Sequence, residues 1–387
     1  MLARSRWSSE ILAVGLMVGA DAMHRGRSEE EVPGAGIAGS RPWDRPPRAT
    51  SHEWSASRMA VHDSSLPAAT VAAVHCLGVG ASDDVLVLCN EQQRTIAESL
   101  AGAAGGRARR VRLLAYPTLT RDGEEPPAFV QEAMTEATVI FAPTVFSLSH
   151  TRARLEATGR GARVATMPGI TVEIFRRALA VDHAGLRRAG ERVAAELSGA
   201  SRCRITSPAG TEVVLRLEGR TAICDDGNLQ SEGAWGNLPA GEAFIAPIET
   251  QGDGTIVFDG ALASYGMLRE PLRLTLASGR AIDAEGEAAQ WLLGMLDAGG
   301  PTGRLIAELG IGTNPQATLT GHILEDEKAL GTAHLAFGTS ASFGGTNVAT
   351  VHIDGILLQP TVELEGRPLI RNGELLNSRE TQKALAR

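Results

Sequence analysis

Five side chains in the second half of this 387-residue chain have types and local spacings suited to holding a metal ion. Gly236-Asn-Leu-Pro-Ala-Gly-Glu242 sets a carboxylate directly after a Gly/Pro turn, and Ala307-Glu-Leu-Gly-Ile-Gly-Thr-Asn-Pro315 sets Glu308 ahead of a glycine-rich bend. Gly331-Thr-Ala-His-Leu-Ala-Phe-Gly338 places His334 inside an apolar strand pattern. Val351-His-Ile-Asp-Gly355 places His352 and Asp354 two apart. Residues two apart on a strand share a face, so this pair can converge on one cation from a rigid platform.

Taken singly, each of these residues has an ordinary explanation. Glu242 reads as a loop acid, and Glu308 as a helix-end cap or the partner of Arg304. His334 reads as a satisfied core histidine, and His352 with Asp354 as a hydrogen-bonded couple. Burying such a pair idle is costly, which favours a shared task. Glu325-Asp-Glu-Lys328 reads as a solvated helix turn, His322 as a residue without a role, and Asn314 and Asn347 as turn residues. Ser65, Ser147 and Ser342 lack the strand-turn-helix context of a serine nucleophile. Cys76, Cys89, Cys203 and Cys224 have neither a CxxC spacing nor the histidine pattern of a thiol nucleophile, so reduced free thiols in the cytoplasm are expected.

Elements able to position these residues follow from patterning. Asp84–Cys89, Arg110–Tyr116, Ala137–Ala142 and Ala162–Met167 read as strands alternating with helices, including one over Ser149–Glu156. That alternation predicts a parallel sheet in an α/β domain over 67–199. Its first strand-to-helix turn has no GxGxxG, so no dinucleotide site is expected. Residues 171–198 read as an amphipathic helical connector. Beyond it come short strands at 203–207, 212–217, 255–259, 272–276, 333–337, 347–353 and 361–364, with a helix over 285–296. They predict a β-rich α+β domain, 200–387, carrying the metal cleft. Residues 1–66, arginine-rich and Pro-punctuated, read as a disordered or wrongly started extension.

Hydrophobic residues make up 43% of the chain and charged residues 21%, which suits a chain with a sizeable core. A net charge of −8 argues against a nucleic-acid partner. No apolar run is long enough to span a bilayer, so no membrane partner is expected.

Taken together and in order, Asn237–Glu242, Ala307–Asn314, Ile323–Lys328, Gly331–Gly338, Gly344–Asn347 and His352–Asp354 resemble the M29 metallopeptidase family, the aminopeptidase T and aminopeptidase S group. Leu148-Ser-His-Thr151 and Met167–Thr171 add weaker similarity. The resemblance implies two divalent ions, drawn from zinc, cobalt, manganese or magnesium, in a cleft of the C-terminal domain. It implies that Glu242, Glu308, His334, His352 and Asp354 are the ligands, with one glutamate bridging, and that Glu242 and Glu308 serve catalysis. It further implies a homodimer that removes N-terminal residues from peptides by a metal-activated water. The family tyrosine, seven residues after His334, is replaced here by Ala341.

The same superfamily is similar to the 2,5-dihydroxypyridine dioxygenases, which open an aromatic ring at one ferrous ion. In that alternative His334, His352 and Asp354 form an iron(II) set with open positions, and Glu242 and Glu308 take supporting or substrate roles. A small-molecule amidohydrolase or deaminase is the further alternative.

Overall fold

A computed structural model describes Ser51–Glu53 and residues 66–376, all within one compact unit, Ala49–Arg387. Apart from Ser51–Glu53, the expectations for residues 1–66 lie outside the described residues. Ser51–Glu53 is a short strand. It adds an antiparallel edge strand beside Arg110–Ala115, in register with Arg112–Leu114.

The first sheet has six strands, in the order Ser51–Glu53, Arg110–Ala115, Asp84–Cys89, Val139–Thr144, Arg163–Pro168 and Trp235–Asn237. All but the first run parallel. Every residue of Asp84–Cys89 is buried, as its unbroken apolar run requires of a strand covered on both faces. Helices cover the two faces, and separate apolar clusters sit above and below the sheet. The sixth strand comes from beyond the connector, so the chain re-enters this sheet just before reaching Glu242.

A second, antiparallel sheet of seven strands follows the order Gly266–Met267, Ala261–Leu262, His352–Leu357, Ala333–Gly338, Ile306–Gly312, Glu242–Ile245 and Ile223–Asp225. A third, also antiparallel, has eight strands running from Arg280–Glu285 to Glu374–Leu375. These two sheets share one core with helices His183–Ser198 and Ala289–Ala298. Side chains from both inner faces fill it, including Leu309, Leu335 and Phe337 from the second sheet and Ile205, Leu215 and Leu274 from the third.

Several boundaries shift for local reasons. The helix expected over Ser149–Glu156 begins at Arg152, because Thr151 caps it: its hydroxyl accepts from the Arg154 amide. Ser149 and His150 therefore lie in the loop before it. The connector is two helices, Val172–Ala178 and His183–Ser198, capped by Thr171 and Asp182. Residues 280–285 are a strand, so the following helix starts at Ala289. The strand expected from Asn347 begins only at His352. Among the described residues no helix is long and apolar enough to cross a membrane.

Candidate metal centre

The register of the second sheet builds a face for ligands. Gly310 pairs with His334, Glu308 with Ala336, Ala336 with Asp354, Gly338 with His352 and Glu242 with Gly312. Directly paired residues share a face, and so do residues two apart. All five predicted side chains therefore lie on one face, across four neighbouring strands. Between them stand Gly310, Gly312, Ala336 and Gly338, which leave room above the sheet. The alternate residues, among them Ala243, Ile245, Leu309, Ile311, Leu335 and Ile353, point into the core. The same strands thus anchor the fold on one side and present donors on the other.

The donors meet. His334 Nε2 is 3.2 Å from Glu242 Oε2 and 3.3 Å from Glu308 Oε1. His352 Nε2 is 3.3 Å from Glu308 Oε2 and 3.4 Å from Asp354 Oδ1. Glu308 therefore gives one oxygen to each imidazole. Among the described residues, the groups whose donor atoms all fall within 4.8 Å are Glu242/Glu308/His334, Glu308/His352/Asp354 and Glu327/His334/Asp354. Two of these triads share Glu308, and no group contains both histidines.

These contacts fit a metal ion. Glu242 Oε2 is close to His334 but lacks hydrogen-bond geometry toward it, and among the described residues this buried acceptor has no donor. His334 Nε2 bonds Glu308 Oε1 at 3.3 Å, and the crowding of further carboxylate oxygens round the two imidazoles suits coordination to a cation. His352 Nδ1 lies 2.9 Å from the Thr339 carbonyl, which accepts its proton and turns the Nε2 lone pair toward the cluster.

The tetrapeptide Glu325–Lys328 corrects the sequence reading: Glu325, Asp326 and Lys328 are fully buried. Glu325 is paired with Arg177 at 2.7 Å. Asp326 accepts from the amides of Thr320 and Gly321. Lys328 Nζ lies 3.0 Å from Glu242 Oε1 and also bonds Glu327. Burial alone would lower the lysine, but Glu242, Glu327 and Asp225 override it and hold it charged. Glu308 does not pair with Arg304, which binds Asp297 at 2.5 Å instead.

Burial alone would also lower both histidines. For His334, the adjacent carboxylates of Glu242 and Glu308 reverse that and raise it well above the ordinary 6.5. For His352, Asp354 and Glu308 do the same. In metal-free protein the two imidazolium ions then offset the carboxylates. A raised folded-state value contributes stability that is complete below the unfolded value and disappears as pH rises through the folded one. The melting temperature of chelator-treated protein should therefore fall as pH is raised through that window, whereas metal-loaded protein stays level. A metal-free melting curve that does not move with pH would count against this charge balance.

One positioning residue was invisible in the sequence. Glu249 is buried and clamps the loop after the His334 strand. It accepts from Arg220 at 2.5 Å, from Ser340 Oγ at 2.6 Å and from the amides of Thr346 and Asn347. A Cβ on Gly345 would stand 2.0 Å from Ser340 Oγ, so only glycine fits beside the clamp. The loop carries the Thr339 carbonyl that orients His352. Losing one partner of such a buried ion pair costs about 3–5 kcal/mol. Glu249→Ala should lower stability by about that much in chemical denaturation; a loss under about 1 kcal/mol would refute the clamp.

Aromatic rings border the centre. Phe343 meets His352 edge-on at 5.8 Å, and Phe244 meets Phe343 at 5.6 Å. Ala341, at the expected tyrosine position, opens the short turn that carries Phe343. His150, in the loop ahead of helix Arg152–Gly159, stands edge-on to Trp235 at 5.9 Å. It keeps solvent contact, yet desolvation, then Arg154 and His352, lowers its pKa. His322 precedes its helix outside this cluster, and Asn314 does more than turn the chain, donating to the carbonyls of Ala178 and Ala240.

With the fold and donors in place, comparison identifies the kind of protein. The sequence profile of the 2,5-dihydroxypyridine 5,6-dioxygenase family, NicX, matches residues 66–377. The chain belongs to that family. None of the curated proteins compared with it matches. Its fold is similar to 2,5-dihydroxypyridine dioxygenase from Pseudomonas putida KT2440, with TM-score 0.68 and 19% identity over 82% of this chain and 98% of that one. It is also similar to wild-type AmpT from Thermus thermophilus, with TM-score 0.61 and 19% identity over 81% of this chain and 99% of that one.

Proposed function

We propose that the chain is a metal-dependent oxygenase that opens a small dihydroxylated heteroaromatic ring of the 2,5-dihydroxypyridine kind. The family match over residues 66–377 carries this reading. Two features support it. Ala341 stands where the peptidase pattern has a tyrosine, and the rings of Phe343 and Phe244 beside His352 favour a flat aromatic guest.

Donors drawn from Glu242, Glu308, His334, His352 and Asp354 would hold the ion. A bound ferrous ion supplies the redox chemistry with dioxygen that no side chain provides. The chain's own residues orient and move protons. The Thr339 carbonyl fixes the His352 ring. His150, kept neutral by desolvation, Arg154 and His352, can take a proton from a ring hydroxyl. Both atoms of dioxygen enter the ring-opened acid, so no external reductant is consumed.

Iron-loaded protein should consume one dioxygen per dihydroxypyridine. In His150→Gln, kcat should fall by about 100-fold or more at unchanged iron content. Absence of oxygen uptake by iron-replete protein would overturn the proposal.

A second reading, a two-ion aminopeptidase-like hydrolase, is favoured by the sharing of Glu308 between two triads. Two divalent ions per chain with release of leucine from a chromogenic amide, abolished in His352→Ala, would establish it instead.

A further inference from the structure

Arg154 is 4% exposed, yet among the described residues it has no carboxylate within ion-pair distance. That sets it apart from the other enclosed guanidinium groups. Arg163 pairs with Asp83 at 2.5 Å and Arg220 with Glu249 at 2.5 Å. Among the described residues the Arg154 side chain bonds only through Nε, donating to the Ser149 carbonyl at 2.6 Å. Its guanidinium carbon lies 3.8 Å from the Trp235 ring centroid, stacked as a cation on an aromatic face. Desolvation alone lowers its pKa, to about 10, with no anion to raise it again. Burying a charge without a partner is costly, and a fold retains the arrangement where a ligand completes it.

The surroundings point to where that ligand sits. Trp235 is 37% exposed, and His150 abuts its edge at 5.9 Å. Arg154 and His150 therefore flank one ring, that of Trp235, in a single patch.

We propose that Arg154 is a recognition residue for an anionic group on the substrate, a carboxylate carried by a small ring that rests against Trp235. The planar guanidinium offers two terminal nitrogens to the two oxygens of a carboxylate, and that geometry a point charge cannot copy. The inference rests on the reading above only in placing the anion in the same cleft.

Benzoate and benzamide, rings of like shape that differ in charge, test it by ligand-observed NMR titration of the full chain. Benzoate should bind at least about tenfold tighter, in keeping with a charge-assisted contact. Arg154→Met should bring the two within twofold at unchanged metal content, and Arg154→Lys should keep part of the preference. Wild-type preference should survive chelation, which separates Arg154 from a carboxylate held by metal. Equal binding of both probes by the wild type, or a preference intact in Arg154→Met or lost on chelation, would overturn the proposal. Should Arg154→Met fail to fold, the wild-type ratio and Trp235→Leu still decide. That exposed change should weaken both probes severalfold, and unchanged binding would contradict the platform. Binding is read without turnover. Protein that prefers benzoate but consumes no oxygen loses only the oxygenase reading, and the reverse result loses only the role of Arg154.

Discussion

Glu308→Ala is expected to strip the protein of bound divalent metal and of its activity together. Among the described residues Glu308 is the one carboxylate within ion-pair distance of both imidazoles, one oxygen 3.3 Å from His334 and the other 3.3 Å from His352. It is common to the two main donor triads. Removing it takes a donor from each and leaves, among the described residues, only the Glu327/His334/Asp354 group with all three donors. Residues that merely support ligands cost about 10–100-fold in metal affinity when lost, and a shared donor should exceed about 100-fold. Metal-to-protein ratios after dialysis read this directly. A Glu308→Ala protein that retains the wild-type ratio would show that the carboxylate is a bystander.

Gly310→Ala should be nearly as damaging, although it adds a single methyl group far from any charge change. A Cβ at position 310 would stand 1.9 Å from His334 Nε2 and 2.1 Å from its neighbouring ring carbon. The two residues are directly paired across the strands, so the methyl would fill the space the imidazole uses. His334 has no exposed surface to retreat to. Overpacking of this kind costs about 1–3 kcal/mol, and the ring must leave its carboxylate partners. Stability and metal content should therefore fall together. Gly294→Ala is the matched control. Gly294 lies in helix Ala289–Ala298 with nothing near its missing Cβ, and alanine there should stabilise by about 0.5–1 kcal/mol. Equal tolerance of both substitutions would refute the packing argument.

The sequence and the structure agree most closely where chemistry is tied to strand alternation. His352 and Asp354 are two apart on a strand, and their shared face follows from pleating alone. Asp84–Cys89 was legible because a strand covered on both faces must be apolar throughout. Boundaries slipped where a cap or loop decided them, as at Thr151 and at Asn347–Val351.

The largest misreading was Glu325–Lys328. Four successive charges read as solvated because two of the counter-charges that hold them are distant in sequence. Arg177 lies 148 positions from Glu325, and Glu242 lies 86 from Lys328. Glu249 left no signal for a similar reason. It is one acid in an irregular segment, and the donors that reveal its task come from Arg220 and the 340–347 loop. Arg154 was hidden in the opposite way: among many arginines, its burial without a carboxylate partner among the described residues distinguishes it.

Everything above depends on the five donors on the second sheet holding a divalent cation. Anomalous diffraction from crystals soaked in cobalt or iron(II) tests this most directly. The account predicts a strong peak within about 2.0–2.3 Å of Glu308 and of at least one of His334 and His352, in line with coordination distances. Peaks confined to other parts of the surface, with the five side chains still bonded only to one another, would contradict it.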